Sequence, residues 1–315
     1  MPESFFVLSK DNLELAIDEV TAIAKMYDRF AKVRILLNLV IIQSKINWEE
    51  ITKRATFVKV SGQILRKMSG LFLDEENFEV LKNAKTFVCR IINLSSNQFN
   101  ISELERSMGD MITKFSKAQV SLKNPDITIY LIFTNEENFF GFSKRFEKQN
   151  RPIKIKKHPH ELDWKLTRSM INLIGLKEGE VVCDPFCGTG TTLLEAESMG
   201  IHAIGLDFDE KMFKISKENL DANGYNSKII RGDFSQLTKM IDEFDGIVTD
   251  LPYGTASKSS ENPEELMKKF VATLPKRKKL AIMCKKGFEE KLKINPIKKY
   301  EIYRHKSLTR TILIK

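Results

Sequence analysis

Apolar and polar positions follow two different rhythms along the chain. After an apolar stretch beginning at Phe5, helical spacing runs over residues 12–27 and a second apolar stretch over 33–42. That order predicts strand, helix and strand, the opening of a compact ferredoxin-like layer. A further set follows, with a helix over 49–55, a strand over 56–60, a helix over 76–81, a strand over 86–94 and a helix over 102–115. Strands over 118–122 and 127–134 flank Asn124, Pro125 and Asp126, a turn favoured by the fixed φ of proline and by the Asx side chains. By themselves these three residues imply a hairpin-like connection with no ligand. Beyond residue 180 the rhythm changes to short apolar runs separated by helical segments: 181–183, 203–206, 229–230, 246–249, 280–284, and a closing hairpin of 300–305 with 310–314. Runs that are apolar throughout suit strands buried on both faces, so the second half is predicted to be a seven-stranded, doubly wound α/β sheet. A basic, proline-broken segment without helical periodicity joins the halves. The chain divides into an α+β N-terminal module over 1–145, a linker over 146–163 and an α/β domain over 164–315.

Chemistry collects at the ends of the α/β strands. Asp184, Pro185, Phe186, Cys187, Gly188, Thr189 and Gly190 join the first strand to a helical pattern over 191–199. The two glycines let the backbone approach a ligand closely at the N-terminus of that helix. A phosphate-loop reading fails because no Gly-Lys-Ser/Thr follows, and a dinucleotide fingerprint is disfavoured because its third glycine is missing. The next strand ends at Asp207 and Phe208, about twenty residues beyond the loop, where an acid can grip both ribose hydroxyls. The third runs into Gly232, Asp233 and Phe234, a carboxylate and an aromatic where adenine would lie. Behind the fourth come Asp250, Leu251, Pro252 and Tyr253, a D-x-P-Y tetrapeptide suited to the exocyclic amine of a base. The lone pair of such an amine is delocalised into its ring, so acceptors must hold its hydrogens before the nitrogen attacks well. Asp250 would accept one N–H and the Leu251 carbonyl the other, while Tyr253 would lie against the base and align it. Leu251 precedes Pro252 and is therefore pushed into an extended conformation. A Pro-Tyr turn after one strand is commonplace; four such strand ends in this order are not.

With these residues the chain resembles the class I, Rossmann-like S-adenosylmethionine-dependent methyltransferases, and within them the THUMP-containing tRNA guanine-N2 methyltransferases, in particular the archaeal branch acting at position 10. The resemblance spans most of the chain. It takes in Asn124, Pro125 and Asp126 with Phe139, Phe140, Gly141 and Phe142, then His158, Pro159 and His160, then residues 166–173 around Arg168, and finally residues 305–310 ending in Arg310. The chain departs from the family pattern at Leu251, where proline is usual, at Thr167, where alanine is usual, and at Trp164, near an expected proline. Family members acting on guanosine 6 or on ribosomal RNA tend to carry Asn where this chain has Asp250, so the acid favours position 10. The resemblance implies S-adenosyl-L-methionine as cofactor, with Asp184 facing the methionine amino group, Asp207 the ribose and Asp233 the adenine amine, and Phe234 as an apolar wall. It implies a THUMP domain over about 45–145 that holds the acceptor end of tRNA by shape and phosphate. RNA contacts are expected from Lys123 and Asn124 at the turn and from Lys144, Arg145, Arg151, Lys154, Lys156 and Lys157 along the linker, although such a charge run is equally consistent with a plain solvated segment.

Composition agrees with this without carrying it. A length of 315 residues accommodates two domains, and a formal charge of +9 suits an acidic partner such as RNA. The four cysteines Cys89, Cys183, Cys187 and Cys284 form no C-x-x-C pair, so neither zinc nor disulfides are implied. The N-terminal apolar run is too short for a signal sequence, and the run from Leu36 to Ile42 stops well before membrane-spanning length. A soluble, cytoplasmic protein is expected. Two other functions remain compatible with the residues: an amino-methyltransferase acting on another RNA, on DNA or on a protein amide, and a non-catalytic RNA-binding subunit on a methyltransferase fold.

Overall fold

The computed structural model describes residues 1–68, 79–146, 151–158, 161–252, 263–305 and 308–315. The chain folds as two compact units, the first made of Met1–Leu13, Tyr27–Lys53 and Phe57–Gln149, the second of Glu14–Met26, Arg54–Thr56 and Asn150–Lys315.

In chain order the N-terminal elements are β1 (Glu3–Leu8), α1 (Leu13–Tyr27), β2 (Lys32–Leu36), β3 (Leu39–Gln43), α2 (Trp48–Arg54), β4 (Val58–Met68), β5 (Thr86–Asn93), α3 (Ile101–Phe115), β6 (Gln119–Val120), β7 (Ile127–Phe133) and β8 (Asn138–Lys144). The strands form one sheet of eight in the order β2-β3-β1-β4-β8-β7-β5-β6. The ferredoxin-like set and the set that follows it therefore share a single sheet, joined where β4 pairs with both β1 and β8. At that seam Phe5 lies against two glycines: a Cβ on Gly62 or Gly141 would come within 2.8 or 3.0 Å of its ring. Amphipathic α3 carries an Asn100 cap on the Glu103 N–H and buries Met108 and Ile112 in the core under β5 and β7.

Three expectations change here. The apolar stretch over 33–42 is a hairpin, β2 and β3, turning through Leu37 at φ 57°; no Gly or Asn-Gly pair marks the turn, so a leucine in the left-handed region gave no signal. The strand placed over 56–60 extends to Met68. Of the helix placed over 76–81, residues 76–78 lie outside the described residues and 79–81 form a single 3-10 turn.

The second unit contains α4 (Trp164–Leu173), β9 (Val181–Asp184), α5 (Thr191–Ser198), β10 (His202–Asp207), α6 (Glu210–Asp221), β11 (Lys228–Arg231), a 3-10 turn (Phe234–Thr238), β12 (Gly246–Asp250), α7 (Pro263–Thr273), β13 (Lys279–Lys285), α8 (Glu289–Leu292), β14 (Lys298–His305) and β15 (Leu308–Ile314). Its sheet runs β11-β10-β9-β12-β13-β15-β14, with the first five strands parallel and β15 antiparallel to both neighbours. Strand order reverses at β9, which opens a crevice at the carboxyl ends of β9 and β12.

Helix α1 belongs to this unit rather than with the strands beside it in sequence. Its fully buried Glu19 accepts from the Thr56 N–H (3.0 Å), the Ser169 hydroxyl (2.8 Å) and the Asn172 amide (2.9 Å). Arg54 in turn donates to the Asn172 side-chain oxygen (2.9 Å), to Glu178 (2.6 Å) and to the Leu176 carbonyl. A carboxylate with no water around it is tolerable only with several donors of this kind. Ser169 and Asn172, part of the segment through which the chain resembles its family, are used here as structural anchors.

Candidate active site

The glycine loop is built to be held from below and open above. Asp184, 3 % exposed, accepts from the Phe186 N–H (3.1 Å) and from the Thr249 hydroxyl (2.7 Å), which ties the loop to β12 one residue before Asp250. Burial pushes the Asp184 carboxyl up to about 6, against the lowering effect of its hydroxyl donors Thr192 and Thr249. Asp207 accepts from the Gly188 N–H (2.9 Å) and the Asp209 N–H (2.9 Å), and burial raises its carboxyl as well. Gly190 stands at φ 82°, where an added Cβ would lie 2.6 Å from the Ser216 hydroxyl oxygen. Gly188, at φ 53°, would present its Cβ to open space. Gly205 is equally constrained, since a Cβ there would lie 2.6 Å from Leu193 and 3.0 Å from the Cys187 sulfur. Cys187 is buried, its thiol driven well above the ordinary value by that burial, and its N–H donates to the Leu206 carbonyl (3.0 Å). The open face over Gly188, two partly desolvated acids and an exposed Phe208 (46 %) fit an adenosyl group joined to a cationic amino acid.

Asp233 is exposed and caps the following 3-10 turn through the Ser235 N–H (2.8 Å). Phe234 is not an open wall. It is 6 % exposed and packs with Phe186 and Phe270 at centroid separations of 5.6 Å each, inside the main core of the unit. Among the described residues, Phe208 is the exposed aromatic side chain at these strand ends, because the residue after β10 falls outside the ladder whereas Phe234 opens a turn that folds back onto the core.

At the end of β12, Leu251 continues the ladder by donating its N–H to the Met283 carbonyl (2.8 Å), and its side chain is 1 % exposed in the same core. This accounts for a leucine where proline is usual: a proline there could not make that bond, and the butyl group fills the core instead. Pro252 is half-buried, and Tyr253 lies outside the described residues. Asp250 receives the guanidinium of Arg310, whose Nη2 contacts both carboxylate oxygens.

A model of the family described as RMKL-like, methyltransferase domain, matches residues 151–310. The chain belongs to this methyltransferase family. It is 32 % identical to the tRNA (guanine(10)-N2)-dimethyltransferase of Methanothermobacter thermautotrophicus over 71 % of this chain and 69 % of that one. It is 25 % identical to the tRNA (guanine(10)-N2)-dimethyltransferase of Methanocaldococcus jannaschii over 98 % and 97 %. The crystal structure of TrmN from Thermus thermophilus shares the fold, with a TM-score of 0.62 at 19 % identity over 99 % of both chains. The protein is an enzyme of the class I methyltransferase fold, and S-adenosyl-L-methionine is its cofactor.

The basic segment ahead of the methyltransferase domain is docked onto it. Asn223 exchanges two hydrogen bonds with the backbone of Ile153 (2.7 Å each), and Asn219 does the same with Lys156 (2.9 and 3.0 Å) while also donating to the Thr189 carbonyl (2.9 Å). Asn219 in the last turn of α6 and Asn223 just beyond its end, four residues apart, thus hold the segment like a short strand. Lys154 is turned inward, 13 % exposed, donating to Glu161 (2.8 Å) and to the Thr191 hydroxyl (2.5 Å). Burial pushes its ammonium down, against the pull of Glu161. Arg151 stacks 3.7 Å from the ring centre of Trp164, which gives that departure from the family pattern a packing role, and Lys156 pairs with Glu218. Lys123, Asn124, Lys144, Arg145 and Lys157 are exposed. Lys154 is thereby removed from the expected RNA contacts. Arg310, Thr249 and Gly205 carry parts of the site to which residue order alone assigned no role; the closing segment 305–310 pointed to Arg310 without naming its partner.

Among the described residues no cluster of His, Cys, Asp or Glu is suited to a metal ion, and no helix is long and apolar enough to cross a membrane.

Proposed function

We propose that this methyltransferase acts on the exocyclic N2 amine of guanosine 10 in tRNA, giving N2-methylguanosine and, where a second cycle follows, the N2,N2-dimethyl form. One observation supports the reading above the others: Asp250 and the glycine loop lie side by side, coupled through the Thr249–Asp184 hydrogen bond, so an amine acceptor stands next to the cofactor loop. When bound, S-adenosylmethionine supplies a sulfonium-activated methyl and departs as a neutral thioether. Asp250 accepts one N2–H and the Leu251 carbonyl the other, which frees the nitrogen lone pair for in-line attack; Asp250 takes the proton that the methylated nitrogen then releases and passes it to solvent, and Tyr253 stacks on the base. Asp184 pairs with the amino group of the cofactor and Asp207 with the ribose. The exposed Phe208 covers the adenine, with Asp233 at its amine.

A guanine in a tRNA stem must leave its stack to reach Asp250, at a cost of about a few kcal/mol. The N-terminal unit offsets that cost as a THUMP-type docking surface for the acceptor end, through Lys123, Asn124, Lys144 and Arg145, with Arg151, Lys156 and Lys157 on the docked segment. The setting is cytoplasmic. Incubation of the purified protein with labelled S-adenosylmethionine and unmodified tRNA transcripts, followed by nucleoside mass spectrometry, tests the reading. Label in N2-methylated guanosine that disappears when guanosine 10 is changed to adenosine is the expected result. Label at another position moves the substrate, and no label in any guanosine overturns the assignment of tRNA N2-guanosine as the substrate.

A further inference from the structure

Glycine on either side of Thr189 lets the cofactor loop approach its ligand closely and removes the steric barriers that would otherwise hold its peptide planes. Bonds hold them instead. The Thr189 carbonyl accepts from the Asn219 amide (2.9 Å) and the Gly190 N–H donates to the Cys187 carbonyl (2.8 Å), so the planar Thr189–Gly190 unit is held at both ends. Asn219 is fully buried on the face of α6 that also carries Ser216, three residues earlier, whose hydroxyl oxygen lies 2.6 Å from where a Gly190 Cβ would stand. The same Asn219 amide donates to the Lys156 carbonyl (3.0 Å), and its oxygen accepts the Lys156 N–H (2.9 Å). One side chain thus joins α6, the glycine loop and the docked basic segment. That segment reaches the other flank of Gly190 through Lys154, whose ammonium donates to the Thr191 hydroxyl (2.5 Å).

We propose that Asn219 is a positioning residue for the cofactor: by fixing the Thr189–Gly190 peptide it keeps the glycine loop in the shape that receives S-adenosylmethionine, and the basic segment completes that brace. The proposal rests on S-adenosylmethionine as the cofactor and is independent of which base is methylated. The position suits an asparagine. A short amide side chain offers two N–H donors and an acceptor, and here both N–H groups and the oxygen are engaged. An aspartate would turn a carboxylate toward the carbonyls of Thr189 and Lys156, and an apolar side chain would leave the Thr189 carbonyl without its buried donor. Asn223 bonds the backbone of Ile153 and the carbonyl of Asn219, and so supplies a control that leaves the loop untouched.

The test uses the full chain without tRNA, with S-adenosylhomocysteine affinity read by equilibrium titration and amide hydrogen exchange read on the ligand-free protein. Asn219→Ala is expected to weaken S-adenosylhomocysteine binding about tenfold and to speed exchange at the Gly190 N–H about tenfold, while the β10 amides keep their wild-type rates. Asn223→Ala is expected to stay within about threefold of wild type in both measurements. An Asn219→Ala protein that binds within about threefold of wild type overturns the proposal. Faster exchange spread evenly through β10 and the loop also overturns it, being the mark of a residue that stabilises the domain as a whole, and so does an equal loss of affinity in Asn223→Ala. Should Asn219→Ala fail to fold, Asn219→Leu decides, because it keeps the branched shape and removes both donors. A loss of at least about tenfold in its affinity supports the proposal, and an affinity within about threefold of wild type overturns it. A wild-type protein that does not bind S-adenosylhomocysteine removes the cofactor assignment and this proposal together, whereas a binding wild type with unaffected Asn219 variants removes only the role of Asn219.

Discussion

The carboxyl edge of the seven-stranded sheet and the outer turns of the eight-stranded sheet hold their polar groups in opposite ways. At the carboxyl edge each acid is committed before any ligand arrives: Asp184 to Thr249 and Phe186, Asp207 to Gly188 and Asp209, Asp250 to Arg310. At the turn between β6 and β7 the backbone is braced, with Asp126 accepting from the Lys85 and Thr86 N–H groups at 3.0 Å, but the Lys123 and Asn124 side chains stand in solvent. Desolvated groups act on a reacting atom through a few strong, geometry-dependent contacts, while exposed cations act on a polyanion through many weak ones. Substitution should therefore be nearly all-or-none at the first region and graded at the second.

The sharpest way to break that contrast is Asp250→Ala, which should cost on the order of 1000-fold in kcat with cofactor binding retained. Retained turnover would remove the base-activating role. Next comes Gly205→Val, whose side chain must enter space held by Leu193 and the Cys187 sulfur. Overpacking there should lower stability by about 1–3 kcal/mol and weaken cofactor affinity roughly tenfold, read by thermal melting and titration. An unchanged affinity would show that the loop adapts.

The pH response of the ligand-free enzyme sharpens the picture further. Because burial holds the Asp184 carboxyl at about 6 in the folded protein, above its ordinary 3.8, the native state binds the proton more tightly than the unfolded chain. Its contribution is full below pH 4 and is lost as pH rises to 6, about 3 kcal/mol at most. Asp184→Asn should flatten this part of the stability profile measured by denaturant unfolding. In the wild type, cofactor affinity should rise over the same window, as the ionised carboxylate becomes available to a cation. The smallest effects belong to the exposed surface. Lys123→Ala and Lys144→Ala should leave kcat at saturating tRNA unchanged and each lower the slope of log affinity against log salt by about 0.7 to 0.9. A single one of them abolishing turnover would end the distinction between the regions.

The carboxyl edge of the seven-stranded sheet was the most legible part of the chain. Buried parallel strands are short, apolar throughout and end on polar residues, so β9, β10, β11 and β12 could be read in order together with their terminal acids. The β2–β3 hairpin was not legible, because its turn, Leu37 and Asn38, lies within an apolar run and puts a leucine where glycine usually takes the left-handed position. Phe234 and Phe208 look alike in sequence, each following an acid at a strand end; only packing turns the first into the core and leaves the second open. Lys154 looks like its neighbours Lys156 and Lys157, yet Glu161 and Thr191 draw it inward.

What the sequence alone determined is local: periodicity specifies strands and helices, and glycines and acids follow them at the strand ends. What the tertiary structure decided is which distant groups meet. Glu19 stands 153 residues from Asn172 and Asp250 60 residues from Arg310. The pairing of Asp250 with Arg310 depends on a last strand that runs antiparallel between β13 and β14. Residue type states what a side chain can bond to; only the assembled sheet brings that partner within reach.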